Sequence, residues 1–257
     1  MLKSALIHCD FNASQAEFRT QWAQFLGHLH PLCMPVGNQP LILWALEALA
    51  KAGYREIALI DPFLTRRPDL HEQLKRIAHS IYGFELRFTA QLEHIPPDVR
   101  RRSLYLEGAH LHFFDEDNGQ IQTQTLQHLG DYYHENMRSA TYWQARVTLP
   151  FFDRQGQVSF GERCKLHARS ICRQSLLGKH VVVKRDCHII GSIVGEYSHL
   201  GPQTQVFGSL ILPHTRLGRD LHILGKIVVG NHLIDPLSGA WTTTDPIWCR
   251  GQKYYTL

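Results

Sequence analysis

Long apolar runs are missing from this 257-residue chain. The longest, from Pro40 to Ala50, is interrupted by Glu47 and is far shorter than the roughly 20 residues that a membrane-spanning helix needs. The apolar run at the N-terminus is too short for a secretory signal peptide. We therefore expect a cytoplasmic protein without a membrane span.

Cysteine and charge are also sparse. The six cysteines form no CxxC pair and no zinc-binding spacing, so we expect reduced thiols that pack as small hydrophobic side chains. The formal net charge of +4 is too small to indicate a nucleic-acid-binding protein. Seventeen histidines are scattered without an HExxH motif, and we predict no metal site among them.

The second half of the chain contains a ladder of aliphatic residues, with one member about every six residues. An α-helix repeats its apolar positions every 3.6 residues and a strand every two, so neither produces this period. A hexapeptide repeat is typical of a parallel β-helix, in which each repeat forms one face of a coil. The predicted coils span residues 160–234, and the inward residues are Phe160, Leu166, Ile171, Leu177, Val183, Ile189, Val194, Leu200, Val206, Leu212, Leu217, Ile223 and Val229.

Two details of this repeat stand out. Three steps are five residues long, at Leu166–Ile171, Ile189–Val194 and Leu212–Leu217, and they recur 23 residues apart. Turn residues at Asp235–Gly239 end the pattern. We expect the aromatic-rich tail from Trp241 to Tyr255 to cap the open coil, because an exposed terminal coil is prone to aggregation.

The first half alternates strand-like and helix-like segments. This alternation predicts a mostly parallel sheet with helices on both faces, and ligands in such sheets bind beyond the carboxyl ends of the strands. We therefore divide the chain into an α/β domain at residues 1–148 and a β-helix with a C-terminal cap at residues 149–257. The predicted strands are Leu2–His8, Glu56–Ile60, Glu85–Thr89 and Ser103–Glu107, and the predicted helices are Pro40–Ala52, Pro68–Tyr82 and Gln122–Arg138.

Two segments resemble the sugar-nucleotide pyrophosphorylases, which join a sugar 1-phosphate to a nucleoside triphosphate. Met34–Ile42, which reads MPVGNQPLI and leads into a helix that stops at Gly53, is similar to their PVgxkPLI–helix–AG segment. The repeats from Gly191 to Asn231 resemble their C-terminal left-handed β-helix. The resemblance implies a Rossmann-like nucleotidyltransferase-type domain followed by a left-handed parallel β-helix. It also implies substrate-binding residues at Gly37, Asn38, Gln39 and Gly108.

The catalytic motifs of that family are missing. A GGxGTRL loop should follow the first strand and cradle phosphate with its amides, but Cys9–Phe18 follows here, reads as a helix and contains no glycine. The phosphate-binding Lys-Pro pair is replaced by His30-Pro31, and the metal-binding aspartate by Ala109. Nucleotidyl transfer depends on metal, lysine and backbone amides to neutralise phosphate charge. We therefore expect neither turnover nor a bound cofactor.

Some residues offer substitutes for the lost groups. If the site is active, Asp10 and Glu107 are its candidate catalytic residues, and Mg²⁺ is then its cofactor. His30 and the cluster Asp115-Glu116-Asp117 are further candidates, although the Asp-Asn-Gly sequence that follows predicts an exposed turn for the cluster.

Three functions fit these observations. The leading prediction is a catalytically degenerate homologue that acts as a scaffold, regulatory subunit or ligand sensor in nucleotide-sugar or polysaccharide metabolism. The first alternative is an active nucleotidyltransferase with a rearranged site. The second is a hexapeptide acyltransferase, which in similar proteins is a trimer with a histidine base between subunits. Candidate bases are His167, His180, His188, His199, His214, His222 and His232.

The early repeats are strongly basic. Residues 163–185 contain seven basic residues and no acidic one. Arg173, Lys179 and Arg185 are six residues apart and so occupy equivalent positions on successive faces. We predict that they form a docking strip for an acidic partner or a phosphorylated ligand such as a sugar nucleotide. A protein partner or a second copy of the chain would also bind through the β-helix.

Overall fold

The protein is described from a computed structural model that covers residues 3–10, 15–26, 30, 33–61, 68–107, 109–140, 152–155, 158–244 and 249–251. Its first half contains β1 (Lys3–His8), α1 (Ala16–Leu26), β2 (Pro35–Val36), β3 (Gln39–Pro40), α2 (Leu41–Lys51), β4 (Tyr54–Ile60), α3 (Pro68–Ile77), a π-helical turn (Ala78–Tyr82), β5 (Glu85–Thr89), a 3₁₀ turn (Leu92–His94), α4 (Pro97–Arg102), β6 (Leu104–Leu106), β7 (Leu111–Asp115), β8 (Gln120–Gln124) and α5 (Leu129–Arg138).

A four-stranded parallel sheet organises this half. Its strand order is β5-β4-β1-β6, and its core contains Ile7, Leu46, Leu49, Ile57 and Leu74. The predicted α/β architecture with a parallel sheet is confirmed. All four predicted strands form, with ends that differ from the prediction by no more than two residues in the part of the chain that the structure describes.

Two helix predictions need correction. The start of the predicted helix Gln122–Arg138 is wrong, because Gln120–Gln124 is a strand that pairs antiparallel with β7. The helix begins only at Leu129. The amides of residues 127 and 128 donate hydrogen bonds to the Asp131 carboxylate, which stabilises the first turn. The helix expected within Cys9–Phe18 begins at Ala16, with residues 11–14 outside the described ranges.

The second half is built from short strands, most of which pair in parallel. They are β9 (Phe152–Gln155), β10 (Val158–Gly161), β11 (Lys165–Leu166), β12 (Ile171–Arg173), β13 (Ser175–Leu177), β14 (Val182–Val183), β15 (His188–Ile190), β16 (Ile193–Val194), β17 (His199–Leu200), β18 (Gln205–Phe207), β19 (Leu210–Ile211), β20 (Thr215–Leu217), β21 (His222–Leu224), β22 (Ile227–Val229), β23 (His232–Ile234), β24 (Trp241–Thr243) and β25 (Cys249–Gly251).

These strands form three sheets, as a β-helix requires. Sheet one is β24-β23-β22-β19-β16-β13-β10-β9, sheet two is β11-β14-β17-β20-β25 and sheet three is β12-β15-β18-β21. Parallel partners lie 17 residues apart in each sheet, as in Leu176 with Ile193, Lys165 with Val182, and Ile171 with His188. One coil is therefore 17 residues long and contributes one strand to each sheet. The predicted architecture of repeated parallel strands is confirmed.

Three of the predicted inward residues are wrong by one position. Ile171 is 41% exposed, whereas the neighbouring Cys172 pairs in register with the fully buried Ile189. The register likewise places Ile211 and Val228 inward in place of Leu212 and Val229. With these corrections each coil has two six-residue steps and one five-residue step, so the short step recurs every 17 residues instead of every 23.

The corners of the coils carry small residues and bonds between coils. Gly195 lies so close to the next coil that an added Cβ would be 2.3 Å from the Pro213 nitrogen. At another corner, the Ser192 amide donates to Ser175 Oγ at 3.1 Å, and the Ser209 amide donates to Ser192 Oγ at 3.2 Å. Each serine thus satisfies a buried backbone donor of the following coil.

The outer face of sheet one is covered by the α/β half. Leu176, Ile193, Leu210 and Ile227 are buried in one cluster with residues of α1, α2 and α5, including Phe18, Trp22, Trp44 and Tyr132. The inner face of the same sheet contributes to the core of the β-helix. Sheet one is therefore apolar on both faces. The predicted domain boundary at 148/149 lies outside the described residues and stays a prediction.

Smaller expectations can also be compared with the structure. Cys9, Cys164, Cys172 and Cys187 are thiols, not disulfides. The predicted turn at Asp115–Asp117 is present, with the Asp117 amide donating to Asp115 Oδ1 at 3.0 Å. Two strands of the tail are described: β24 extends sheet one and β25 extends sheet two, both as antiparallel strands. No helix within the described ranges has the length and apolar character needed to cross a membrane.

Candidate functional site

Three carboxylates follow the strands at the carboxyl edge of the parallel sheet. Asp10 comes after β1, Asp61 directly after β4, and Glu107 directly after β6. Because β1 lies between β4 and β6, all three belong to neighbouring strand ends. The structure therefore brings the predicted pair Asp10 and Glu107 to the edge where α/β sheets bind ligands.

Asp61 contacts the imidazole ring of His30. The distance from His30 Nε2 to Asp61 Oδ2 is 2.6 Å, and Asp61 is only 1% exposed. The sequence singled out His30 but missed Asp61. Its position directly after the predicted strand Glu56–Ile60 is the signal that would have identified it, because polar residues at strand ends line this edge.

Cys9 is the buried thiol beside these groups. Its Sγ lies 3.6 Å from the Ile7 carbonyl oxygen, to which the thiol donates. Burial raises the pKa of Cys9 well above its ordinary value, and the negative charge of Asp61 raises it further. Because the thiolate is the nucleophile, the neutral Cys9 thiol is chemically inert at neutral pH.

Ala109 occupies the position where the resemblance implies a metal-binding aspartate. It is fully buried, and its amide donates to Gln15 Oε1 at 3.1 Å. Gln15 Nε2 in turn donates to the carbonyl oxygens of Ala109 and Leu126, both at 3.0 Å. The position offers no side-chain oxygen, so the residues present do not fit the Mg²⁺ ion of that family. Among the described residues, no three His, Cys, Asp or Glu side chains are grouped to hold a metal.

Two buried histidines lie beside Ala109. His110 is 7% exposed and His112 is 3% exposed, and His112 Nδ1 is 2.9 Å from Thr123 Oγ1. Burial lowers the pKa of both imidazoles, and it lowers that of His112, with repulsion from His110, to about 4. Both rings are therefore neutral at pH 7 in the folded protein.

The segment that resembles a substrate-binding turn contacts other parts of this protein. Gly37 and Asn38 form the turn between β2 and β3, with φ of 59° and 61°. The Gly37 amide donates to Asn136 Oδ1 at 3.0 Å, and Asn38 Nδ2 donates to the Val194 carbonyl at 3.0 Å. The turn is therefore bound to α5 and to the β-helix. Gln39 Nε2 lies 3.5 Å from a Glu47 carboxylate oxygen, and Gly108 lies outside the described residues.

The three basic residues predicted to form a strip do not line up. Arg173 ends β12, Lys179 follows β13 and Arg185 follows β14, so each is next to a different sheet. Residues that stack along the β-helix are 17 apart, whereas these are six apart. Lys179 also forms an ion pair with Glu196, with N and O 3.3 Å apart.

Two of the candidate histidine bases form an aromatic column. Tyr197 stacks between His180 and His214, with ring centroids 4.7 and 5.1 Å apart. All three residues have φ between 56° and 59° and occupy the same corner of successive coils. Burial lowers the pKa of His214. The ring faces between these residues are thus covered by their neighbours, and the column stabilises this corner.

The described site therefore combines a carboxylate-lined sheet edge, the buried Ala109, and the turn at Gly37 and Asn38 that is bound to α5 and the β-helix. No protein-family model and no curated protein matches the chain.

Proposed function

We propose that this protein is a catalytically degenerate relative of the sugar nucleotidyltransferases, with a Rossmann-like first domain and a left-handed β-helix. In this proposal it acts by binding, as a scaffold, regulatory subunit or ligand sensor in nucleotide-sugar or polysaccharide metabolism. The observation that carries the proposal is the burial of Ala109 and the use of both its backbone groups by Gln15.

That arrangement supports the loss of catalysis for a physical reason. A metal ligand must present an oxygen to a position that the phosphates can reach, and a fully buried methyl group does neither. Removing even one group that stabilises the transition state typically costs about 3–4 kcal/mol. The loss of the glycine loop and lysine adds to this cost. The turn at Gly37 and Asn38 gives further support, because its polar groups bind α5 and the β-helix.

Pyrophosphate exchange tests the proposal directly. The full-length protein is incubated with each nucleoside triphosphate and a panel of sugar 1-phosphates, with Mg²⁺ and with a chelator. We expect no exchange above that of an Asp10→Asn, Glu107→Gln double variant. Exchange by the wild type that the double variant loses would contradict the proposal.

The second candidate function is an active nucleotidyltransferase that uses Asp10 and Glu107. It is favoured by one observation, the placement of these carboxylates at the ends of the paired strands β1 and β6. If it is right, Glu107→Ala abolishes turnover and leaves the melting temperature unchanged. Equal turnover in this variant and the wild type would exclude that role.

Ligand binding without turnover is measured by thermal shift with nucleotides and sugar nucleotides. A ligand that binds only the folded state raises the melting temperature. A rise with one sugar nucleotide in the absence of turnover identifies a sensor. If no nucleotide or sugar nucleotide raises the melting temperature, the protein is better described as a scaffold or regulatory subunit than as a sensor.

A further inference from the structure

Sheet two carries outward cations at three of its four parallel strands, β11, β14 and β20. Val183, Leu200 and Leu217 are buried in the core of the β-helix, and Leu166, which is 37% exposed in the first coil, pairs in register with Val183. The residues beside them therefore point outward. One outward row is Lys165, Val182, His199 and Arg216, and the other is His167, Lys184, Gly201 and Gly218. We call these two rows the basic face. They contain no carboxylate.

The cations of the basic face are exposed. The side chains of Lys165, Lys184 and Arg216 are exposed to solvent. The carboxylates at the nearby corners are paired with other cations, with Arg169 bound to Asp186 at 2.8 Å, Lys179 to Glu196 at 3.3 Å and Arg219 to Asp220 at 2.9 Å. The positive charge of the basic face is therefore not neutralised by these neighbours.

The pKa of His199 is affected by the positive charges of the basic face. Burial lowers the pKa of this histidine, and repulsion from Arg216 and Lys184 lowers it further. Lys184 beside β14 and Arg216 in β20 thus act on His199 from the two strands that flank β17. Beside it, Gly201 and Gly218 leave half of the second row without side chains, and a Cβ on Gly201 would lie only 2.2 Å from the Gly218 carbonyl oxygen, so this part of the face is shallow.

The composition of the face restricts its partner. Two folded proteins associate around a buried apolar core with a polar rim, but the only apolar outward residue here is Val182. Single-stranded nucleic acid binds largely by stacking its bases on aromatic rings, and neither row contains Phe, Tyr or Trp. A flexible polymer with repeated negative charges and no bases needs neither feature, because release of counterions drives its binding.

The dimensions also suit an extended polymer. The four strands of the face are about 4.8 Å apart, so the row from Lys165 to Arg216 spans roughly 14 Å. The antiparallel strand β25 continues the sheet, with Arg250 opposite Arg216 in the register. We propose that the basic face binds a linear acidic polysaccharide, whose carboxylate groups contact Lys165, Lys184 and Arg216 along the coils. This inference goes beyond the proposed function and does not depend on the fate of the nucleotidyltransferase site.

Binding of fluorescent polygalacturonate to the full-length protein tests the proposal. The test variant is Lys165→Gln, Lys184→Gln, Arg216→Gln, and the matched control is Arg76→Gln, Arg87→Gln, Arg101→Gln, which removes three exposed charges from the α/β half. At low salt we expect the wild type and the control to bind equally, and the test variant to bind at least about tenfold more weakly. Wild-type affinity should fall with salt, with a log–log slope of about 2–3.

Three results would overturn the proposal. The first is an equal loss of affinity in the control, because net charge alone would then explain binding. The second is single-stranded DNA of the same charge binding to the basic face as tightly as the polysaccharide, because the partner would then be a nucleic acid. The third is no binding of polygalacturonate by the wild type at low salt. Equal melting temperatures of the variants verify that the folds are intact.

Discussion

The two halves of the molecule use polar contacts in opposite ways. In the α/β half each buried polar contact occurs once, as with Gln15 on Ala109 or His30 on Asp61. In the β-helix the same contact recurs in three successive coils, where Ser175, Ser192 and Ser209 each accept a backbone amide of the next coil. A repeated contact depends on close and regular stacking, whereas a single contact depends on one pair of side chains. Defects in spacing should therefore affect the β-helix most, and changes in protonation should affect the α/β half most.

The largest expected effect is a defect in coil spacing. Gly195→Ala places a Cβ 2.3 Å from the Pro213 nitrogen, and backbone cannot move aside as a flexible side chain can. We expect the free energy of unfolding to fall by about 3 kcal/mol or more, measured by urea denaturation.

The matched control for that substitution is Gly225→Ala. Gly225 has φ of +61° but no atom within 4 Å of an added Cβ, so only the backbone conformation is penalised. We expect a loss of about 1 kcal/mol. Equal losses at the two positions would show that contact between coils does not limit stability.

A smaller effect separates the two faces of sheet one. Leu210→Ala removes a side chain from the cluster shared with the α/β half, and Ile211→Ala removes one from the core of the β-helix. Each should cost about 2–3 kcal/mol. In Leu210→Ala we expect the midpoint by tryptophan fluorescence to fall below that by circular dichroism, because Trp22 and Trp44 lie in the shared cluster.

The companion variant Ile211→Ala should keep the two midpoints together. Coincident midpoints in both variants would show instead that the halves unfold as one unit.

The smallest effect is a pH dependence from the α/β half. The pKa of His112 is lowered to about 4 in the folded protein by burial, whereas the unfolded chain binds a proton near the ordinary value of 6.5. The unfolded state is thus favoured as pH falls from about 6.5 towards 4. We expect His112→Gln to remove about 2 kcal/mol of the stability lost between pH 7 and pH 5.

Exposed His79 provides the control for this measurement. The pH dependence of unfolding is measured for His79→Gln and for His112→Gln under the same conditions. If His112→Gln behaves in the same way, His112 does not carry the proposed linkage.

The sequence predicts both architectures well, because the six-residue apolar repeat of the second half differs from the alternating strand and helix patterns of the first half. It misplaces three inward residues for physical reasons that the structure explains. At Ile171 the inward neighbour is a cysteine, which an aliphatic pattern does not count. At Leu212 and Val229 both neighbouring positions are apolar, because sheet one is buried on both faces and its alternation is lost.

The candidate site was only partly predictable. Asp10 and Glu107 follow strands and could be placed at the sheet edge from the sequence alone. Gln15 could not be predicted, because its hydrogen-bond partners are backbone groups 94 and 111 residues away. Any residue type offers the same backbone groups, so the sequence at the partner positions does not indicate the contact. The basic face could not be predicted either, because its residues become neighbours only through the 17-residue register between coils.

The uniform 17-residue coil has a consequence for how such a chain can change in length. Deleting or duplicating 17 consecutive residues, or a multiple of 17, returns every later side chain to its own sheet, whereas other numbers shift the later residues out of register. Whole coils are therefore interchangeable units of growth. Each added coil would lengthen sheet two by one strand, or about 4.8 Å, and would leave the cross-section of the β-helix unchanged.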